Sequence, residues 1–302
     1  MTTPRGLRDS VLRRIRIHRL WDPGEDVGVA VSGGVDSVTL LDILCRTRGI
    51  HGGRIKVLSI DHAQSATGLA GMQLTQALSD HHDVPFLGTR LPLLPNASEA
   101  AMREARYRWL SQQGVDVIAL GHHRDDLAET VLLQIIRGSG LDGFRGMRWR
   151  HQERVRPMLA ISRNDILNYA RQVGLEWVDD PSNQDETFTR NRVRHSVLPL
   201  LETLRPGATQ AIARSATLVA DEADALQQLA TEWATLHGSQ MPLSALNKGP
   251  AALVRRGLMV RRPTLTAGQI DAILDIARMG HGSVELDAKC IAKIRNGHLT
   301  LE

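Results

Sequence analysis

Four short runs, nearly all apolar, limit what this chain can fold into more than any other feature: residues 27–31, 56–60, 85–89 and 117–120. Strands of that length without polar alternation are buried on both faces, as in the middle of a parallel sheet. Between and after them lie helical patterns at 37–47, 68–80, 98–113 and 127–137. Strand and helix in alternation predict a doubly wound α/β domain, with ligands at the carboxyl ends of the strands. The chain is 302 residues long, which is ample for two domains. Arg205-Pro206-Gly207, after Leu198-Pro199-Leu200-Leu201, is the punctuation of a boundary. The division expected is therefore 1–205 and 206–302. The second part reads as a smaller α+β domain, with helical patterns at 208–236 and 266–277 and strands at 283–286 and 291–301. Asn296-Gly297 marks a two-residue hairpin turn within the last of these.

Composition narrows the class. Hydrophobic residues are 42% and charged residues 23%, and no apolar run reaches the roughly 18 residues a membrane helix needs. The first twenty residues hold six arginines and no apolar block of the kind a signal peptide requires, so a cytoplasmic protein without a membrane partner is expected. Cys45 and Cys290 are too few for a disulfide framework or a paired-cysteine metal site. Net charge is a modest +4, but the arginines are clustered. Arg5, Arg8, Arg13, Arg14, Arg16 and Arg19 form one group and Arg137, Arg145, Arg148, Arg150, Arg154, Arg156 and Arg163 another. Clusters of this kind suit a polyphosphate partner, with a solvated basic surface as the plain alternative.

The first strand runs straight into Ser32-Gly33-Gly34-Val35-Asp36-Ser37 and then a helix. Glycines at a strand-to-helix turn let backbone amides reach phosphate oxygens, the helix dipole favours the anion, and Ser32 and Ser37 add hydroxyls. The loop has neither the lysine of a Walker A motif nor dinucleotide-fingerprint spacing. Asp36 would repel phosphates unless a cation lay between them, which predicts Mg²⁺. The loop resembles the PP-loop of enzymes that split ATP between its α and β phosphates.

The second constellation is Gly121-His122-His123-Arg124-Asp125-Asp126-Leu127-Ala128-Glu129-Thr130, after the strand at 117–120. A helix beginning near His122 would put His122, Asp126 and Glu129 on one face, able to hold Mg²⁺ with Asp36 and to accept a proton. A third stretch, Asp179-Asp180-Pro181-Ser182-Asn183 through Thr189-Arg190-Asn191-Arg192-Val193-Arg194-His195, carries arginines suited to phosphate or developing negative charge. Phe144, Trp149 and Phe188 are the aromatics considered for base stacking, with core packing the expected role for each.

Together with Gly138-Ser139-Gly140-Leu141-Asp142-Gly143 and Arg156-Pro157-Met158-Leu159, these segments resemble the tRNA(Ile)-lysidine synthetase family over about residues 27–201. The resemblance implies a PP-loop fold and ATP with Mg²⁺. It also implies adenylation of C2 of the cytidine at the first anticodon position of a tRNA(Ile) with a CAU anticodon, then attack by free L-lysine. By matching position, Ser32, Gly33, Gly34 and Ser37 would hold ATP, together with Asp61, His62, Arg103 and Arg106. Asp36, His122, Asp126 and Glu129 would serve magnesium, lysine and proton transfer, with Asp36, Asp126 and Glu129 as the metal set, and Arg194 would stabilise the adenylated intermediate. Asp61-His62 is followed by Ala63-Gln64-Ser65 where the family usually has Gly-Leu-Arg. The chain would end where a shorter form of the family ends, with residues 206–302 as an accessory tRNA-binding domain; its oligomeric state, a homodimer included, stays open. The alternatives are a tRNA thiolation enzyme, disfavoured by the cysteines, and a non-catalytic ATP-dependent RNA-binding protein, disfavoured by intact Asp36, Asp126 and Glu129.

Overall fold

The computed structural model describes residues 3–61, 66–91, 99–288 and 290–301. The arginine-rich start forms a helix, α1 (Pro4–Ile17), capped by Thr3, whose hydroxyl accepts the Gly6 amide proton at 3.1 Å. Leu7, Val11 and Ile15, four residues apart, are its buried stripe, which leaves the arginines on its other faces. The expected alternation follows: β1 (Asp26–Ala30), α2 (Val35–Arg46), α3 (Arg48–His51), β2 (Arg54–Asp61), α4 (Ala66–His82), β3 (Phe86–Arg90), α5 (Glu99–Leu110), β4 (Val117–Leu120) and α6 (Arg124–Ile136). Then come the short α7 (Leu141–Phe144), the two-residue strands β5 (Arg150–His151) and β6 (Arg154–Val155), and α8 (Arg163–Val173). Past a 3₁₀ turn at Pro181–Gln184, α9 (Thr189–Arg192) runs through a π-helical turn (Val193–Val197) into α10 (Leu198–Leu204).

The strand order is β3-β2-β1-β4-β6-β5, parallel except for the β5–β6 hairpin. Val29 lies opposite Val57 on one side and Ala119 on the other. Alternate residues go to opposite faces. Val27, Val29, Ile55, Val57, Val117 and Ala119 join the core with α1, α2 and α8, while Leu58, Ile118 and Leu120 pack with Leu110, Tyr107 and Trp109 on the other face. Both faces are covered, so the runs read as continuously apolar. The chain leaves β1 toward β2 and β3 and returns on the other side of β1 as β4, which puts the topological switch between the ends of β1 and β4.

The structure divides into two compact units, Met1–Leu218 and Val219–Glu302. The division falls inside α11 (Ala208–His237) and not at the Arg205-Pro206-Gly207 turn. The reason is packing: Ala213 and Ala216, in the first turns of α11, are buried with Leu127, Val131 and Leu159 of the first unit. In the second unit, β7 (Gln240–Pro242), α12 (Leu243–Lys248), α13 (Ala251–Arg261), α14 (Ala267–Met279), β8 (Ser283–Asp287), β9 (Cys290–Arg295) and β10 (His298–Leu301) give an antiparallel sheet of order β7-β10-β9-β8. Asn296 and Gly297, both with positive φ, make the β9–β10 turn. Among the described residues, no helix is long and apolar enough to cross a membrane.

Candidate active site

The loop after β1 is built for close approach. Gly33 has φ +87°, and a Cβ on it would lie 2.5 Å from Gly71 Cα of α4. Gly34 is the N-cap of α2 and brings no side chain to cap it, so the amides of the first turn are left for an anion. Ser37 Oγ donates to Gly34 O at 2.9 Å and accepts from Ser32 N at 3.2 Å, with Ser32 Oγ 3.4 Å away. Val178 N donates to Gly33 O at 2.9 Å, tying the chain just before the third motif segment to this loop. Gly121, at the end of β4, packs so tightly on α2 that an added Cβ would be 3.1 Å from Ser37 N. The two carboxyl edges therefore meet at the switch point.

Helix α6 begins at Arg124, with His123 as its N-cap. His123 N donates to Asp126 Oδ2 at 3.0 Å, and Asp126 N donates back to His123 Nδ1 at 3.4 Å. His122 therefore precedes the helix and does not share a helical face with Asp126 and Glu129, contrary to the sequence expectation. The imidazole that joins the two halves of the site is His123, which the sequence reading passed over: its Nε2 lies 3.6 Å from Asp36 Oδ2 and 3.4 Å from Asp126 Oδ2.

Asp126 and Glu129 do share a face of α6 and are gripped by two arginines. Glu129, 0% exposed, accepts from Arg190 Nε at 2.8 Å and from Arg194 Nε at 2.6 Å and Nη2 at 3.1 Å. Asp126 Oδ1 accepts from Arg190 Nη2 at 3.2 Å and Arg194 Nη2 at 3.0 Å. The arginines straddle the junction of α9 with the π-helical turn, an irregularity frequent at functional sites. Arg194 was expected; Arg190 was not singled out, although its i, i+4 spacing to Arg194 was the signal available.

Charge and burial split the neighbouring histidines. Burial pushes His122 down to about 3, Asp126 pulls the other way, and Arg156, Arg190 and Arg103 add to the fall. Burial also opposes charge on His123, but Asp126, Asp36 and Asp125 outweigh it and hold that imidazole above its ordinary value. Burial works against the Asp126 carboxylate too, yet His123, His122, Arg190 and Arg194 bring it far below the usual range. The site is thus a dense, compensated charge network. Asp36 Oδ1 and His122 Nδ1 are buried and have no hydrogen-bond partner among the described residues.

Other expected residues are placed as follows. Asp61 ends β2, buried, with Arg90 Nε at 3.2 Å from Oδ2; His62 lies outside the described residues. Arg103 and Arg106 are on α5 and exposed, Arg103 stacking over Tyr107 at 5.4 Å. Among the described residues no three carboxylates, imidazoles or thiols are arranged to hold a metal ion. The expected set Asp36, Asp126 and Glu129 is therefore not a preformed cage, because two of its members are occupied by guanidiniums. The lone oxygen of Asp36 beside the phosphate loop is the group that fits a cation. Trp149 packs against the core, stacked on His18 at 4.1 Å. Phe144 and Phe188 do not: they are 38% and 49% exposed, where core packing was expected.

Residues 10–201 match the family model described as a PP-loop domain. The chain is 34% identical over 264 residues to a tRNA(Ile)-lysidine synthase of Pseudomonas syringae pv. tomato, covering 83% of this chain and 59% of that protein. It is 32% identical to the tRNA(Ile)-lysidine synthase of Geobacter sulfurreducens, covering 97% and 66%. The chain thus spans from just under half to about two thirds of the length of the curated relatives it matches. Among solved structures, the U34-tRNA thiolase NcsA from Methanococcus maripaludis superposes with a TM-score of 0.59 at 16% identity, over 72% of this chain and 80% of that one; this shows a shared fold. The match over residues 10–201, the glycine loop at the switch point and the parallel sheet around it agree: the chain belongs to the PP-loop domain family, whose members use ATP.

Proposed function

We propose that this chain uses ATP to join free L-lysine to C2 of the cytidine at the first anticodon position of a tRNA(Ile) with a CAU anticodon, giving lysidine, AMP and pyrophosphate. The observation that carries this reading is the contact of His123 with both Asp36 and Asp126, which fuses a phosphate loop and a buried carboxylate–guanidinium cluster into one site. The names of the relatives supply the substrate class.

The first step makes a bond from the C2 oxygen of cytidine to the α-phosphorus and breaks the α–β bridge, releasing pyrophosphate. Ser32, Gly33, Gly34 and Ser37 hold the polyphosphate through amides and hydroxyls, with Asp61, His62, Arg103 and Arg106 as further nucleotide contacts. Asp36 would hold Mg²⁺ through its unpartnered oxygen, with Asp126 and Glu129 available to it only where Arg190 and Arg194 turn away. The ion supplies charge neutralisation at the phosphates. Arg194, fixed by Glu129, presents a planar donor to the adenylated intermediate. In the second step the lysine Nε bonds to C2 and AMP leaves. An ε-ammonium of unperturbed pKa about 10.4 must first lose a proton. Asp126 and Glu129 supply the negative field that draws it in and are the carboxylates placed to take the proton where Arg190 and Arg194 turn away, while His122, kept neutral by burial, lines the site. Residues beyond the catalytic unit act as an accessory tRNA-binding domain, and the reaction takes place in the cytoplasm.

Neither cysteine supports sulfur transfer, since Cys45 is buried in α2, with burial pushing its thiol up to about 12, and Cys290 is buried in the second unit. The test is pyrophosphate release from ATP and Mg²⁺ with and without tRNA(Ile). The reading requires release that depends on the tRNA; release indifferent to tRNA contradicts it.

A further inference from the structure

Phe188 is an aromatic out of place. It is 49% exposed in a segment held fixed from both sides: its amide donates to Asp185 O at 3.3 Å and its carbonyl accepts from Arg192 N at 3.1 Å. Asn191 Nδ2 donates to Ser182 O at 2.9 Å and to Asp185 O at 2.8 Å, and Arg192 Nε donates to Glu186 O at 3.2 Å. A large ring held at the surface by a braced backbone gains nothing from core burial. The chain around it carries both signs, exposed Asp185 and Glu186 before it and arginines after it. Two residues on is Arg190, which grips buried Glu129, and Arg192 is itself exposed. At no more than about 3.8 Å per residue, the Cα of Phe188 lies within about 8 Å of that of Arg190. A half-exposed ring on a braced backbone, with guanidiniums two and four residues on, is an arrangement that receives an unstacked nucleobase and its phosphate. Phe144 is less well placed. It follows the end of α6, and Ile136 at that end lies seven residues beyond Glu129, about 10 Å along the helix axis.

We infer that Phe188 is a stacking platform for one unstacked anticodon base, and so a residue that sets RNA affinity and register at the reaction centre. The inference rests on the RNA-directed reading above. It assigns the ring a binding role and no part in bond making.

The test compares wild type with Phe188→Ala, Phe188→Leu and Phe188→Tyr, using an anticodon stem-loop RNA with a CAU anticodon as the probe. Stacking predicts that Phe188→Ala weakens stem-loop binding and raises KM for tRNA about 5- to 150-fold. Phe188→Leu should fall with it, having bulk but no π face, and Phe188→Tyr should stay within a few-fold of wild type. ATP affinity without RNA should be unchanged and melting temperature should move by no more than a few degrees, because only about half of the side chain is buried. Stem-loops abasic at each anticodon position in turn identify the base, since at one of them the Phe188→Ala penalty should vanish. Wild-type binding by Phe188→Ala, full rescue by leucine, or a penalty that persists at all three abasic positions each overturns the inference. Failure of wild type to transfer lysine, with ring-dependent stem-loop binding intact, would overturn the reaction proposed above and leave the stacking role standing.

Discussion

Adjacent histidines show how much one residue's placement decides. His122 and His123 are indistinguishable by composition, yet the helix starts at Arg124, which makes His123 the cap and the bridge to Asp36 and leaves His122 outside the turn. The glycine loop and the Asp126/Glu129 pair were legible because spacing alone puts them at a strand end and on one helix face. The His123 bridge and the Arg190 grip were not, since the first depends on where a helix begins and the second on how a distant segment folds back across α6. Glu129 is the residue on which this network can be tested. Glu129→Gln leaves two guanidiniums facing a neutral amide in a buried place, and the expected cost is about 3–5 kcal/mol. Urea unfolding measures it, and a loss below about 1 kcal/mol would mean the pair is not buried as described. Lysine transfer by the variant should fall at least as steeply.

Elements were read better than their joints. β4 fell at the expected residues and β1 to β3 shifted by a residue or two at their ends, because apolar runs between glycine and proline punctuation define a buried strand. Helices α1, α8 and α13 were not anticipated, as arginine-rich sequence hides a narrow apolar stripe. Two helices carry clear tests. Gly33 meets Gly71 of α4 at a separation that admits no Cβ and in a left-handed backbone, so Gly33→Ala should displace the loop and cut ATP affinity at least tenfold by calorimetry. Unchanged affinity would remove the loop from the binding site. In α2, buried Asp42 accepts from Arg46 Nε at 2.8 Å and Tyr169 Oη at 2.6 Å, with His82 Nε2 3.3 Å away. Burial would raise its pKa, but His82, Tyr169 and Arg46 together lower it. A depressed carboxylate contributes stability above its unfolded-state pKa, near 3.9, and that contribution is lost as pH falls through the lower folded-state value. Melting temperature should therefore drop less steeply with acid for Tyr169→Phe than for wild type across that range; parallel curves would show that the cluster does not set acid stability.

At the scale of the whole molecule the sequence marked a boundary at a Pro-Gly turn, and the structure moves it into α11. Punctuation reports where the backbone bends, whereas a unit's edge is set by which side chains stay buried together. Ala213 and Ala216 belong to the first unit's core although they follow the turn. A chain cut after Leu218 should melt close to the intact protein's first transition and keep ATP binding, while one cut after Arg205 uncovers Leu127, Val131 and Leu159 and should melt several degrees lower. Equal melting of the two would restore the boundary to the turn. In the proposed reaction one site serves two steps, adenylation at the phosphate loop and amine attack beside α6. Incorporation of labelled lysine into unmodified tRNA(Ile) bearing a CAU anticodon, with ATP and Mg²⁺, reports both at once. Wild type should incorporate lysine and Asp36→Ala should fall by at least a hundredfold; no incorporation by wild type, or equal incorporation by the variant, would contradict the account.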